Sequence, residues 1–339
     1  MADGEDRTGG VTAQDVTASI EMILGFTPDA ALVDYHLGLG FPDRFALGKY
    51  MMSTDMFRQN HGWRTSHPIF LGDRVYAHTH RGERIFLVPT DVDLTPTLVD
   101  GRPFEPHIEQ AVTNAVRAGD TVVDAGCNIG YHTLVMAKAV GPEGKLFGFE
   151  ANPEVYRLLH ATFMVNHFTD FRAMGRAELF NEAVADRDGF LTLAVAPNNF
   201  GSGNLVTDDP MSDFGAEYTK RVQVKTVTLD EKLAHVPKID FLHMDIEGAE
   251  PLALQGAREL LARSPEIIIV TEWSNHMMRA LADLPAHIAW LGAQGFRFWR
   301  IVENGWLRPV EQENLIHLPH CDIFMSRIDP PTTYTVVSA

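Results

Sequence analysis

The chain has 339 residues with 45 acidic and 28 basic side chains, a formal charge of −17 at pH 7. That excess argues against a protein that grips phosphate backbones, because a nucleic-acid surface needs a basic face. At roughly 150 residues per domain the length suggests about two domains, and an apolar fraction of 45% is ample for a sizeable core. Cys127 and Cys321 are too few for a disulfide scaffold or a zinc cluster, as expected in a reducing compartment. The acidic start MADGEDRTGG lacks the charged and apolar regions of a secretory leader. The longest aliphatic runs, such as Ile267 to Val270, fall far short of the ~20 residues that span a bilayer. The expectation is a soluble, cytoplasmic protein.

The first ten residues, small and polar, read as disordered. From Thr12 to Asn60 apolar residues recur at helical spacing, with Ile20, Ile23 and Leu24 on one face and Leu47 and Met51 one turn apart on another. Residues 1–67 therefore read as a helical module. Short β-type runs (IFLG, RVYAHT, RIFLVP) make residues 68–104 a β-rich connecting segment. After it, strand and helix patterns alternate: TVVDAG, YHTLVMAKAV, KLFGFEANP, EVYRLLHATFMVNHF, AELFNEAVAD, PKIDFLHMDI, PLALQGARELLAR, EIIIVTEW. That rhythm predicts an α/β domain on a parallel sheet over residues 105–329. FRFWRIVENGWLRPV reads as a hairpin across Asn304-Gly305, CDIFMSR as a closing strand, and residues 330–339 as a tail.

The chemistry concentrates where the first strand of that domain meets its helix, at Asp124-Ala-Gly126-Cys-Asn128-Ile-Gly130. Glycines there let backbone approach a ligand, and the helix start offers free N–H groups. A dinucleotide fingerprint would want glycine at 126, 128 and 131; Asn128 and Tyr131 stand there instead, so a nicotinamide dehydrogenase fails. The order Asp-x-Gly-x-Asn-x-Gly fits S-adenosylmethionine better. Glu150 closes the next strand 20 positions after Gly130, where an acid accepts both ribose hydroxyls.

With these residues in view, the chain resembles the FkbM family of S-adenosylmethionine-dependent methyltransferases over roughly residues 98 to 327. FEPHIEQAV, AGDTVVDAGCNIGYHTLVMAKAVG, GKLFGFEANPEVYRLL, NEAVADRDG, FGSGNLV, VKTVTLDEKL and IDFLHMDIEGAEPLALQGA carry the resemblance in order and spacing. It implies a Rossmann-like class I methyltransferase fold, a seven-stranded and mostly parallel sheet with the last strand antiparallel. It also implies hydroxyl acceptors on sugars or polyketide-type natural products. By motif, Asp124, Gly126, Asn128 and Gly130 would frame the methionine and ribose side of the cofactor. Glu150 would take the ribose with Asn152 beside it, and Glu182 with Ala183 would flank the adenine. One departure stands out: where the family usually has Lys, two residues before the acid of its DxEG motif, this chain has His243.

Leu24-Gly25, Pro28, Val33, His36, Arg44 and the run Met52 to Phe57 resemble a short helical module ahead of some methyltransferases and glycosyltransferases of bacterial glycan clusters. That implies a docking or substrate-presenting role, against which stands a helical lid with packing duties only.

Methyl transfer to an alcohol needs an aligned acceptor and a base within reach of its proton. His243 and Asp245 close the fourth strand on one side of it, and Asp245 can orient His243 or meet the acceptor itself. Glu247 and Glu250 belong to the following turn and helix start, where negative charge is favourable. Glu272 ends the fifth strand. Acids at these two tips resemble the Mg²⁺-holding carboxylates of catechol-type O-methyltransferases, but two acids at strand ends are common in an acidic chain, and no metal is assigned. Asn198 to Asn204 reads as an amide-rich loop able to bond sugar hydroxyls, with Phe200 able to stack on a sugar face. His132, opening a helix, reads as a capping or solvated residue.

The expected activity is O-methylation of a glycan or other hydroxylated natural product, with Asp245, His243 and Glu272 as candidate catalytic residues. A non-catalytic adenosyl-cofactor scaffold and an N- or carboxyl-methyltransferase are the alternatives.

Overall fold

Val122 and Val123 lie side by side in the chain yet enter different cores, Val122 one with Leu146, Phe241 and Val270, Val123 another with Phe147, Leu242 and Ile269. Alternate residues of a strand face opposite ways, so a strand apolar at both positions must be covered on both sides. The computed structural model describes residues 11–24, 26–42, 44–54, 68–170, 176–196, 199–205 and 220–338. It divides into two compact units, residues 1–67 and 68–339.

In the first unit lie α1 (Ala13–Leu24), α2 (Ala30–Gly38) and α3 (Arg44–Ser53). Thr12 and Asp15 cap α1 reciprocally: the Asp15 carboxylate accepts from the Thr12 N–H at 2.9 Å, and the Thr12 hydroxyl accepts from the Asp15 N–H at 3.2 Å. Asp29 caps α2 by accepting from the Leu32 N–H at 2.8 Å. Val16, Ile20, Leu47 and Met51 make its buried core. The side chains of Ile23, Leu24 and Arg44, together with Gly25 and the side chains of Met52, Ser53 and residues 55–57, lie outside the described part.

The second unit opens with an antiparallel sheet of β1 (Ile69–Phe70), β2 (Val75–His78) and β3 (Arg84–Leu87), then α4 (Leu94–Val99). Residues 68–104 are more than a connector. Val75, Ala77, Ile85, Leu87, Leu94 and Leu98 share a core with Ile129, Tyr131, Val155 and Leu158.

The principal elements follow as α5 (Pro106–Ala115), β4 (Thr121–Ala125), α6 (Tyr131–Val140), β5 (Lys145–Phe149), α7 (Pro153–Asp170) and β6 (Arg176–Phe180). The outer edge of β3 is satisfied by α7: Thr162 Oγ1 accepts from the Phe86 N–H and Asn166 Oδ1 from the Arg84 N–H. Next come β7 (Ala183–Val184), β8 (Gly189–Ala196), β9 (Asn199–Leu205), β10 (Lys220–Val227) and α8 (Leu229–Lys232). The chain continues with β11 (Phe241–Met244), α9 (Glu250–Gln255), α10 (Arg258–Ala262), β12 (Ile268–Trp273), α11 (Asn275–Leu281) and α12 (Leu284–Ala293). It closes with β13 (Arg297–Val302), β14 (Trp306–Val310) and β15 (Cys321–Ser326).

The main sheet runs β14-β13-β15-β12-β11-β4-β5-β6. From β6 to β12 every neighbour is parallel, and β15 lies antiparallel between β12 and β13. This is the Rossmann-like class I methyltransferase arrangement, its last strand antiparallel. The hairpin across Asn304-Gly305 adds an eighth strand, β14, at the edge. Residues 330–339 are not a loose tail: Leu307 donates to the Thr335 carbonyl, and the buried Tyr334 bonds the Ala111 carbonyl.

A second sheet, β7-β10-β8-β9, rises between β6 and β11. It corrects the loop expected at Asn198–Asn204, since Asn199–Leu205 is a strand paired antiparallel with β8. Asn198 and the Phe200 side chain lie outside the described residues. Among the described residues no helix is long and apolar enough to cross a membrane.

Strand order reverses between β4 and β11, and open α/β sheets bind ligands in the crevice at the carboxyl ends of the strands flanking such a point.

Candidate active site

At that crevice β4 hands over to the glycine loop. Gly126 has φ +92°, and a Cβ there would lie 1.9 Å from the main-chain oxygen of Asp245. The N–H groups of Gly126 and Cys127 both donate to the Phe149 carbonyl, at 2.9 and 3.0 Å. The loop is thus clamped between β5 and β11. Asn128 takes a left-handed conformation, φ +49°, which Asn tolerates better than most residues. Gly130 then opens α6 so close to α7 that a Cβ would meet Leu159 Cδ1 at 2.8 Å.

The twist at Asn128 aims its N–H at Glu150, whose carboxylate accepts from it at 2.9 Å and from the Asn152 N–H at 2.7 Å. Burial pushes the Glu150 carboxyl up to about 7, with these two bonds opposing it. Asn152 Oδ1 accepts from the Glu154 N–H at 3.0 Å, while its Nδ2 is buried without a partner. Gly126, Glu150, Asn152, Glu182, Ala183 and Asp245 line one cleft of about 560 Å³, together with Phe149, Val184, Leu193, Ile246 and Glu247. The orphaned amide of Asn152 beside the clamped Glu150 carboxylate offers a donor and an acceptor side by side, the set a ribose diol needs. The residues fit an adenosyl cofactor.

Glu182 differs from Glu150 in its partners. Lys225 Nζ and Lys232 Nζ each stand 2.6 Å from its carboxylate oxygens. Burial alone would raise its pKa, but the two ammonium groups hold it below the usual range.

Asp124 requires a correction. It does not line the cleft: one oxygen accepts from Thr133 Oγ1 at 2.6 Å and the other from His243 Nδ1 at 2.8 Å. The parallel register sets His243 directly beside Asp124, so Asp124, rather than Asp245, orients the imidazole. Burial opposes both charges, yet the pair wins: Asp124 falls below the carboxylate range and His243 rises above its usual value.

Asp245 is pushed up to about 6 by burial and by the Glu105 charge, with His243 pulling it back. Glu247 reaches about 8 through burial and the Asp245 charge, in a left-handed conformation at φ +55°. Glu250 is held at a turn, accepting from the Ile246 N–H at 3.1 Å. Glu272 is absent from the cleft lining and lies 2.9 Å from His320 Nε2. Burial and surrounding acids drive it up to about 10. Among the described residues no three His, Cys, Asp or Glu side chains converge to hold a metal ion.

Two further pairs flank this end of the sheet. Glu105 bonds His132 Nε2 at 3.0 Å, and Asp322 bonds His107 Nε2 at 2.9 Å. The His132 ring lies 5.7 Å from that of His243. His132 is thus no solvated cap. The strand adjacency implied by the fold could have revealed Asp124 beside His243; nothing in the local pattern pointed to Glu105 and His132.

A model of the methyltransferase FkbM domain matches residues 124–298. Methyltransferase sdnD of Sordaria araneosa is 26% identical over 176 residues, 45% of this chain and 66% of that protein. The protein-L-isoaspartate O-methyltransferase of Ignicoccus hospitalis is 42% identical over 52 residues, 15% of this chain and 25% of that one. The chain therefore spans just under two thirds of the first of these curated relatives and a quarter of the second. Among solved structures, a SAM-dependent O-methyltransferase from Thermotoga maritima superposes with a TM-score of 0.38 at 15% identity, covering 77% of this chain and 85% of that one. An O-methyltransferase from Bacillus cereus in complex with SAH gives 0.36 at 11%, covering 70% and 82%. The strand order described above, and not these superpositions, establishes the fold. With its glycine loop, the acid that closes β5 and a family match over just over half its length, the chain belongs to the FkbM methyltransferases, and its domain takes S-adenosylmethionine as methyl donor.

Proposed function

We propose that this chain is an O-methyltransferase acting on a hydroxyl of a glycan or other hydroxylated natural product. The observation that carries this reading is Asp245, which lines the same cleft as Glu150 with its carboxyl pushed up to about 6. Bound S-adenosylmethionine supplies an electrophilic methyl group that needs no activation by the protein. A neutral amine would need no base to attack it, whereas an alcohol is a poor nucleophile until its proton is taken. A buried carboxylate that ionises near neutrality suits the alcohol. Glu150 and Asn152 hold the ribose end, Gly126 lets the loop pass against β11, and Asp245 removes the acceptor proton. His243 stands on the same strand face as Asp245, two residues back, and Glu272 acts as a neutral neighbour at working pH.

Residues 1–67, with a core of their own, take the role of a docking or substrate-presenting module. In the same reading the protein works in the cytoplasm on a small-molecule or glycan acceptor and binds no nucleic acid.

Calorimetric titration with S-adenosylmethionine and S-adenosylhomocysteine, on wild type and Glu150→Ala, is the first test. Binding by wild type that collapses in the variant supports the site. It is followed by mass-spectrometric screening of sugar and polyketide alcohols for methyl gain. No binding of either compound by folded wild type defeats the reading. Methyl gain on amines or carboxylates but on no alcohol replaces it with N- or carboxyl-methylation.

A further inference from the structure

Two imidazoles meet beside Asp245, and each has one ring nitrogen held by a carboxylate. Asp124 accepts from His243 Nδ1 at 2.8 Å and Glu105 accepts from His132 Nε2 at 3.0 Å. An ionised carboxylate sets the tautomer of the ring it bonds, keeping the proton on the bonded nitrogen and leaving a lone pair on the other. His243 is therefore bare at Nε2 and His132 at Nδ1. The latter is buried with no hydrogen-bond partner. Ring centroids 5.7 Å apart allow transfer between the bare nitrogens directly or through one water. Exposure of the four side chains climbs outward, from 1% for Asp124 and 6% for His243 to 11% for His132 and 39% for Glu105.

We propose that Asp245, His243, His132 and Glu105 form a proton exit path from the acceptor site to solvent, with Asp124 and Thr133 fixing the inner ring. The inference rests on the O-methyltransferase reading. As the acceptor oxygen bonds the methyl carbon and the methyl–sulfur electron pair stays on sulfur, the hydroxyl proton passes to Asp245. His243 Nε2 takes that proton from Asp245 and hands it to His132 Nδ1. His132 releases its Nε2 proton to Glu105, and Glu105 gives it to water. One proton leaves per methyl group transferred; Asp245, His243 and Glu105 return to their starting states, while His132 is left protonated at Nδ1 and resets by gaining a water proton at Nε2 and releasing its Nδ1 proton to water before the next turnover.

With cofactor and acceptor filling the cleft over the half-buried Asp245, its proton needs a route behind them, because an Asp245 that stays protonated cannot serve a second turnover. The groups facing His243 are Asp124 from β4, Asp245 on its own strand, His132 from α6 and Glu105 ahead of α5. His132 and Glu105 act through others and are positioning and relay residues.

The test needs no acceptor. Long-range ¹H–¹⁵N NMR of the full chain saturated with S-adenosylhomocysteine reads both tautomers. The path requires neutral His243 protonated at Nδ1 and neutral His132 at Nε2. The opposite tautomer at either ring overturns it. Below the His243 midpoint, exchange of its Nε2 proton with water is then compared in wild type and His132→Gln. The path requires exchange slowed on the order of tenfold or more in the variant. Unchanged exchange in a folded His132→Gln overturns it. Wild-type tautomers decide the matter alone if the variant does not fold. Failure here leaves O-methylation standing, whereas absence of cofactor-product binding defeats the parent reading.

Discussion

Gly126 and Asp245 touch through their backbones: a Cβ on the first would sit 1.9 Å from the carbonyl oxygen of the second. The contact locks the glycine loop of β4 onto the end of β11. Gly126→Ala meets both a backbone clash and a left-handed φ, which together cost more than the ~1–2 kcal/mol of the conformation alone. The expected result is a stability loss of about 2–4 kcal/mol in chemical denaturation with S-adenosylmethionine affinity falling at least as steeply. Gly295→Ala, also at positive φ but with open space around its Cβ, is the control and shows only the conformational cost. Equal losses in the two variants would show that the contact with Asp245 is unimportant.

In the proposed reading, Glu150 makes cofactor affinity depend on pH. Ribose hydroxyls donate to a carboxylate, and burial pushes this one up to about 7 in the free protein. Binding therefore has to displace a proton below that pH. Calorimetry should find affinity rising from pH 6 toward 7 and levelling above it. One pH step below the midpoint costs about tenfold. Glu150→Gln, neutral throughout, should bind weakly with a flat profile. A flat wild-type profile would place the ribose elsewhere.

Asp124 and His243 should be strongly coupled in a double-mutant cycle. Removing one partner of a buried ion pair strands the other and typically costs about 3–5 kcal/mol. Asp124→Asn and His243→Gln should each destabilise substantially, and the double variant by much less than the sum. Additive losses would mean that the 2.8 Å contact carries no energy. His243→Lys, which installs the residue usual in the family, should recover part of the stability lost in His243→Gln by restoring a cation beside Asp124.

Much of this architecture was readable from the residues, and the limits have physical causes. The runs TVVDA and KLFGF are apolar at consecutive positions, so buried parallel strands were the natural expectation, and β4 and β5 are such strands. Asn304-Gly305 announced its hairpin. The second sheet was harder, because β9 (NFGSGNL) has little side-chain bulk to mark it as a strand and is held by pairing with β8. The place of Glu150 at the end of β5 was legible because its spacing from the glycine loop follows from one strand–helix–strand repeat. The pairing of Asp124 with His243 was hidden for a different reason: it depends on which strand lies beside β4, and β11 comes more than a hundred residues later. The Glu105–His132 pair likewise joins a helix entrance to a helix start 27 positions on, a contact set by tertiary packing.

The unliganded protein should be more stable in mild acid than at pH 8 to 9. Five carboxyls have folded values well above the unfolded value of about 4, with Asp120 raised beside them: Asp245 at about 6, Glu150 and Glu250 at about 7, Glu247 at about 8 and Glu272 at about 10. In each case burial is the main cause, so the folded state binds more protons than the unfolded chain through this range. Stability then falls as pH rises. The contribution is fully present below about pH 4, falls as pH rises above that, and is exhausted group by group as pH passes the folded values between about 6 and 10. Asp124, Glu105, Glu182 and Glu83 have lowered values, so their contribution is lost as pH falls below about 4. The two sets together place the optimum near pH 4. Melting temperature should drop steadily from pH 5 to 8.5, and Glu247→Gln, which removes a proton-binding site in the middle of the window, should flatten that drop. A melting temperature that rises over the same range would show that these carboxyls are solvated.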